Sequence, residues 1–216
     1  MPAMSRPATG RDPHIGQAPS ELAKVQAFVN TLDIEQSTDE LATPAELDRW
    51  LQRTGLTDGR GGSSGPAELT HAVELREALR GVLRSHVTHA AADADSGPAA
   101  RIAAIAATMR IAIQPDAGGR IRLGPGDCGP AAGLTRLLLI AAEAGTLGTW
   151  ARLKVCSADD CQWAFYDRSP TRNGCWCSMQ ICGSRAKSRA YRQRTAAGGR
   201  PPATASRSAR TAATGA

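Results

Sequence analysis

Apolar positions first become periodic at Leu22, Val25, Val29 and Leu32, recurring at three- and four-residue steps, and predict a helix from about Glu21. Asn30 to Thr38 reads as its end and a polar loop. The next start is sharper. Thr43 is a good N-cap, Pro44 fits the first helical position and Glu46 completes a capping box. Leu47, Trp50 and Leu51 form that helix's apolar face, and Gly55 stops it ahead of a flexible Asp58–Gly65 loop. Pro66 then opens a longer helix to about Ala90, with Leu69, Val73, Leu79, Val82 and Leu83 inward.

Arg76, Arg80 and Arg84 form a line on this helix at four-residue spacing. Such a run is ordinarily a solvated face, and the alternative is an anion-binding ridge. His71, His86 and His89 share the helix, but no carboxylate or third histidine joins His86 and His89 in a recognised metal pattern, so they are assigned surface or packing roles.

Asp93 to Pro98 breaks the pattern, and a short Ala/Ile helix follows. The period then changes to two. Arg110-Ile-Ala-Ile and Arg120-Ile-Arg-Leu alternate on either side of Pro115-Asp-Ala-Gly-Gly, which predicts a β-hairpin. A last helix of the body runs from about Pro130 to Gly145, with Leu134, Leu137, Leu138 and Ala141 inward. The expected fold class is α+β: a mainly helical body with a β-hairpin, followed by a small treble-clef-like module.

Charge divides the chain in the same place. Residues 1–150 carry fourteen Lys/Arg against seventeen Asp/Glu, and residues 151–216 carry twelve against three. A mildly acidic body thus precedes a strongly basic end, which favours polyanions, nucleic acid before anionic membrane. Four parts are expected: a disordered leader at 1–19, a helical domain at 20–150 that folds by itself, a zinc module at 151–195, and a disordered basic tail at 196–216. No signal peptide or membrane span is legible, and the expected compartment is the cytosol. Thiols stay reduced there, so clustered cysteines read as metal ligands.

Five of the six cysteines lie between positions 156 and 182. Cys156 and Cys161 are separated by four residues, as are Cys177 and Cys182, with fifteen residues between the pairs. Two short loops that each contribute two thiolates fill a tetrahedral zinc site, and four cysteines close it to catalysis. Cys175 is an alternative to Cys177; pairing symmetry favours Cys177. Neither an iron–sulfur cluster nor a disulfide fits the spacing. Cys128, alone between Asp127 and Gly129, reads as an incidental thiol.

Around the metal, Trp163-Ala-Phe-Tyr is expected as a strand, Asp167 to Gly174 as a loop, and Cys175-Trp-Cys as the returning strand. Ser178 then caps a helix. At ~3.6 residues per turn, Arg185, Arg189 and Arg192 share one flank of it, with Lys187 and Arg194 opposite. Part of this charge can balance a zinc tetrathiolate. The rest, with Arg168 and Arg172 in the hairpin loop, points to phosphates.

The run from Leu153 to Arg194 resembles the CGNR zinc finger, with its paired cysteines, a Trp176-Cys-Ser-Met segment and a signature that here stands as Cys182-Gly-Ser-Arg185. Ser184 replaces the signature's asparagine, and Cys175 stands where a basic residue is expected. The body is similar to the ABATE domain through Phe28-Val-Asn-Thr-Leu-Asp, Leu41-Ala-Thr-Pro-Ala-Glu-Leu and Leu75-Arg-Glu-Ala-Leu-Arg. The resemblance implies a bacterial, stress-related transcription regulator that binds zinc and DNA. The body would sense a small-molecule effector or self-associate as a homodimer. An RNA- or ribosome-associated module is the second reading. An enzyme in the helical body is the third, but residues 1–150 hold no phosphate loop, dinucleotide fingerprint or nucleophile–base pair.

Overall fold

The computed structural model describes residues 16–88 and 97–196. His89, most of the leader and of the Asp93–Pro98 break, and the tail beyond Ala196 lie outside these ranges. The body opens with α1 (Leu22–Val29), a two-residue ribbon of β1 (Leu32–Asp33) and β2 (Thr38–Asp39), then α2 (Pro44–Arg53) and the long α3 (Pro66–Thr88). The α2 start forms as its sequence predicts: the Glu46 amide donates to the Thr43 hydroxyl at 3.3 Å, which donates to the Glu46 carboxylate at 2.9 Å. Next come α4 (Pro98–Ala107), the antiparallel pair β3 (Ile111–Pro115) and β4 (Ile121–Pro125), and α5 (Gly129–Thr146). The last part holds β5 (Leu153–Val155), β6 (Ala164–Tyr166), a π-helical turn (Met179–Gly183) and α6 (Ser184–Ala196).

The core gathers on α3, which packs against α1, α2, α4, α5 and β5. Leu75, Leu79 and Leu83 are buried, beside Phe28 and Trp50, whose ring centroids lie 5.3 Å apart. The middle of a helix surrounded this way has no wide solvated face, and this overturns the surface reading of Arg76 and Arg80, while Arg84 stays 42% exposed. Arg76 and Arg80 are only 3% and 4% exposed. Arg76 forms a bidentate pair with Asp39 at 2.7 and 2.9 Å and shares Glu77 with Arg80. Each guanidinium is buried with its donors occupied, as a buried charge requires.

β5 and β6 pair as Leu153↔Tyr166, Lys154↔Phe165 and Val155↔Ala164. Side chains alternate across a strand. Leu153, Val155, Ala164 and Tyr166 therefore enter the body's core, while Phe165 joins the cluster around the cysteines. This small hairpin is a wall shared by two cores, and the divide drawn at residue 150 from charge crosses the larger of them. The partner of β6 also differs from expectation. It is β5, and Cys175-Trp-Cys forms no strand; Cys175 contributes one backbone bond, accepting from Ser157 at 2.9 Å. Residues 16–18, assigned to a disordered leader, strap this wall: Gly16 accepts from the Tyr166 amide, and buried Ala18 donates to the Gln26 side chain at 2.6 Å.

Candidate metal centre

The loop joining β5 to β6 carries Cys156 and Cys161. Its turn closes through Cys161 and Gln162 amides donating to the Ala158 carbonyl at 2.9 and 3.0 Å, with Gln162 at φ +49. Of the second pair, Cys182 sits on the π-helical turn and Cys177 just before its Ser178 cap. Ser178 accepts from the Ile181 amide at 3.3 Å, and the Gly183 amide reaches back to the Ser178 carbonyl at 3.1 Å. This five-residue step widens the turn and places Cys177 and Cys182 side by side. A Cβ on Gly183 would meet the Met179 sulfur at 2.9 Å, a contact that the exposed methionine side chain would have to shift to relieve.

The four sulfurs of Cys156, Cys161, Cys177 and Cys182 lie within 4.8 Å of one another, and none is in a disulfide. Cys177 is 3.7 Å from both Cys161 and Cys182. Thiolates held about 2.3 Å from a central zinc form a tetrahedron with edges of about 3.8 Å. Buried sulfur donors at this spacing fit a metal ion. Cys175 is outside the cluster. Electrostatics agree. Hydrogen bonds from Cys161 and Cys177 hold the Cys156 thiol far below its ordinary value, while hydrogen bonding to Cys156 and Cys161, together with burial, pushes the Cys177 thiol up, and burial pushes Cys182 up to about 12. Four adjacent thiols cannot all ionise without a cation among them.

Beneath the cluster lies a buried ion pair that the sequence reading missed. Lys154 and Asp167 meet at 2.8 Å with side chains 2% and 4% exposed. The Lys154 ammonium also donates to the carbonyls of Arg172 and Gly174, and Asp167 accepts from the amides of Ser169 and Gly174. Burial opposes the Asp167 charge, but the Lys154 and Ser169 hydrogen bonds outweigh it and hold the carboxyl well below the usual range. The pair ties the loop from Asp167 to Gly174 onto β5. Its signal in the sequence was a lysine at the middle of an apolar strand.

The module docks on the body through polar clasps. Asn30 pairs with both backbone groups of Ala164, at 2.9 and 2.7 Å. Arg80 donates to Val29 and to Gln162 carbonyls at 2.7 and 2.9 Å. Arg84 reaches Asp159, and His86 lies 2.8 Å from the Leu153 carbonyl oxygen. Burial pushes the His86 imidazole below its ordinary value, consistent with a packing role.

The basic candidates divide into two groups. Arg185 pairs with Glu35 at 2.6 Å and approaches Asp160, and Arg189 meets Asp160 at 3.5 Å. Arg168 donates to the Gln17 carbonyl and lies over the Tyr166 ring, and Arg172 lends its carbonyl to Lys154. Lys187, Arg192 and Arg194 are exposed on α6 and form no ion pair among the described residues. Lys187, Ser188, Tyr191 and Arg192 line a shallow open depression there.

A helical body is thus joined to a small four-cysteine module. A family model for the CGNR zinc finger matches residues 152–195, and the ABATE model, described as "Putative stress-induced transcription regulator", matches residues 23–149. The chain belongs to the ABATE family and ends in a CGNR zinc finger. No curated protein matches it. No helix among the described residues is long and apolar enough to cross a membrane. The body segments that carried the resemblance supply the clasps: Asn30 holds β6, Thr31 accepts from Arg76, and Arg80 reaches the cysteine loop.

Proposed function

We propose that the protein is a DNA-binding transcription regulator whose finger holds one zinc through Cys156, Cys161, Cys177 and Cys182 and presents α6 to duplex phosphates. The observation carrying this is α6 itself, where Lys187 and Arg194 on one flank and Arg192 on the other are exposed and form no ion pair among the described residues, on a helix anchored by the cysteine cluster. Arg185 and Arg189, the arginines nearest the cluster, serve mainly to hold α6, Arg185 against Glu35 of the body and Arg189 against Asp160 of the cysteine loop. The finger's zinc is structural, since four thiolates leave no open position. The body then supplies effector sensing or self-association.

Two experiments test this. Serine at any one of the four cluster cysteines is expected to remove the zinc and melt the finger, whereas Cys175→Ser keeps full zinc by metal analysis. Full occupancy in Cys177→Ser would reassign the ligand set. For nucleic acid, the Lys187→Ala, Arg192→Ala, Arg194→Ala variant is expected to stay folded and zinc-loaded and to flatten the salt dependence of duplex binding by about one unit of slope per lost phosphate contact. Unchanged binding at low salt would remove α6 as the contact surface. A matched RNA pool belongs beside the duplex, because Tyr191, 54% exposed on the same helix, offers a stacking surface for unpaired bases.

A further inference from the structure

The hairpin of β3 and β4 has an apolar side that nothing in the described chain covers. Its register sets Ile113 opposite Leu123, Ile111 opposite Pro125 and Pro115 opposite Ile121, all on one face because side chains alternate along each strand. Ile111, Ile113, Ile121 and Leu123 are 54%, 70%, 67% and 62% exposed. The hairpin is rooted at its base, where Gly124 and Pro125 are buried and β4 packs against α5. A two-stranded ribbon is marginal in water on its own, and one with a bare isoleucine face is more so.

The geometry points to this face as the contact for a second copy of the same chain. Area supports it. The four side chains leave roughly 400 Å² of apolar surface open, a patch of the size that marks interaction sites. Two such faces pressed together remove roughly 800 Å², about half of what a standard stable interface buries, before any rim contact is added. Charge supports it as well. The rim holds Arg110, Arg120 and Arg122 together with Asp116 and Asp127, which already form mixed-sign pairs. A two-fold interface puts the same patch on both partners, and a rim of both signs does not repel its own image. The rest of the chain offers no cover. Outside the described ranges its large hydrophobic side chains are Met1, Met4 and Ile15 alone, too few and too scattered to supply a matching stripe. The inference gives a surface to the self-association reading and is independent of what α6 binds.

Sedimentation equilibrium of the full-length, zinc-loaded protein tests it. The parent is expected to be a dimer at micromolar concentration, and Ile113→Lys with Leu123→Glu is expected to give a monomer with unchanged far-UV signal, melting transition and zinc content. Leu147→Lys removes a residue 69% exposed at the far end of α5 and is expected to leave the dimer intact. A monomeric parent, a double variant that still dimerises, or a dimer broken equally by Leu147→Lys would each overturn the proposal. So would a monomeric parent that co-sediments with phosphatidylglycerol vesicles through this hairpin, since that outcome makes the face a membrane contact.

Discussion

A chain ending at Trp150 is expected to lose its cooperative melt. Such a chain keeps every helix of the body but lacks Leu153, Val155, Ala164 and Tyr166, all buried in the main core. Each large apolar side chain among them contributes about 1.5–3 kcal/mol by burial, against about 5–15 kcal/mol for a whole domain. The polar losses add to this. Asn30 loses both backbone partners on Ala164, and one branch of the buried Arg80 guanidinium loses its acceptor at Gln162. The expected product retains helical far-UV signal, binds hydrophobic dye and shows no sharp transition. A cooperative melt near the parent's temperature would show that the body is autonomous and that the shared wall contributes little. The separate charge balance of residues 1–150 points to an autonomous domain, and the strands that close its core point the other way, since composition records solubility and not which strands close a core.

Lys154→Met is expected to cost about 3–5 kcal/mol, since it leaves the Asp167 carboxylate buried without its cation. For a chain of this size that corresponds to a fall in Tm of roughly 6–20 °C. Leu at Asp167 in the same chain recovers only part of the loss, because the amides of Ser169 and Gly174 still lack their acceptor. Asp167→Asn gives the pH signature. The native carboxyl is held below its unfolded value, so its contribution is complete above the ordinary value of about 3.9 and is lost as pH falls through the lower native one. Parent and Asp167→Asn should therefore differ most at neutral pH and converge below about pH 4. Denaturant midpoints across pH measure this. A constant gap down to the lowest pH would mean that the carboxylate's charge is not what the fold uses.

The local signals in the sequence became local structure. Thr43-Pro-Ala-Glu starts a helix because its hydrogen bonds lie within one turn. The alternation around Pro115 gives a hairpin in register, and two cysteine pairs converge because each pair is set by a short turn. Long-range consequences were less legible. Four-residue spacing places Arg76, Arg80 and Arg84 on one flank, but only the packing of α1, β2 and the cysteine loop around α3 makes an interior of the part that holds Arg76 and Arg80. Likewise Cys175-Trp-Cys has strand-like residues, yet β6 was already paired by Leu153-Lys-Val, a segment too short to announce itself. The shortest contact of Arg185 is to Glu35, 150 residues away in the chain.

The wall formed by β5 and β6 has a thermodynamic consequence. Its outer ends lead into the cysteine loop, and its inner face is part of the body's core. Metal uptake and body folding are then coupled equilibria with a common free-energy term. For an effector bound by the body, as the proposed function has it, reciprocity follows: whatever factor metal adds to the body's affinity for it, the effector adds to the affinity of the finger for metal. Chelation becomes a remote lever on the helical domain, and a molecule that loosens α3 becomes a remote lever on metal retention, with neither touching the other's site.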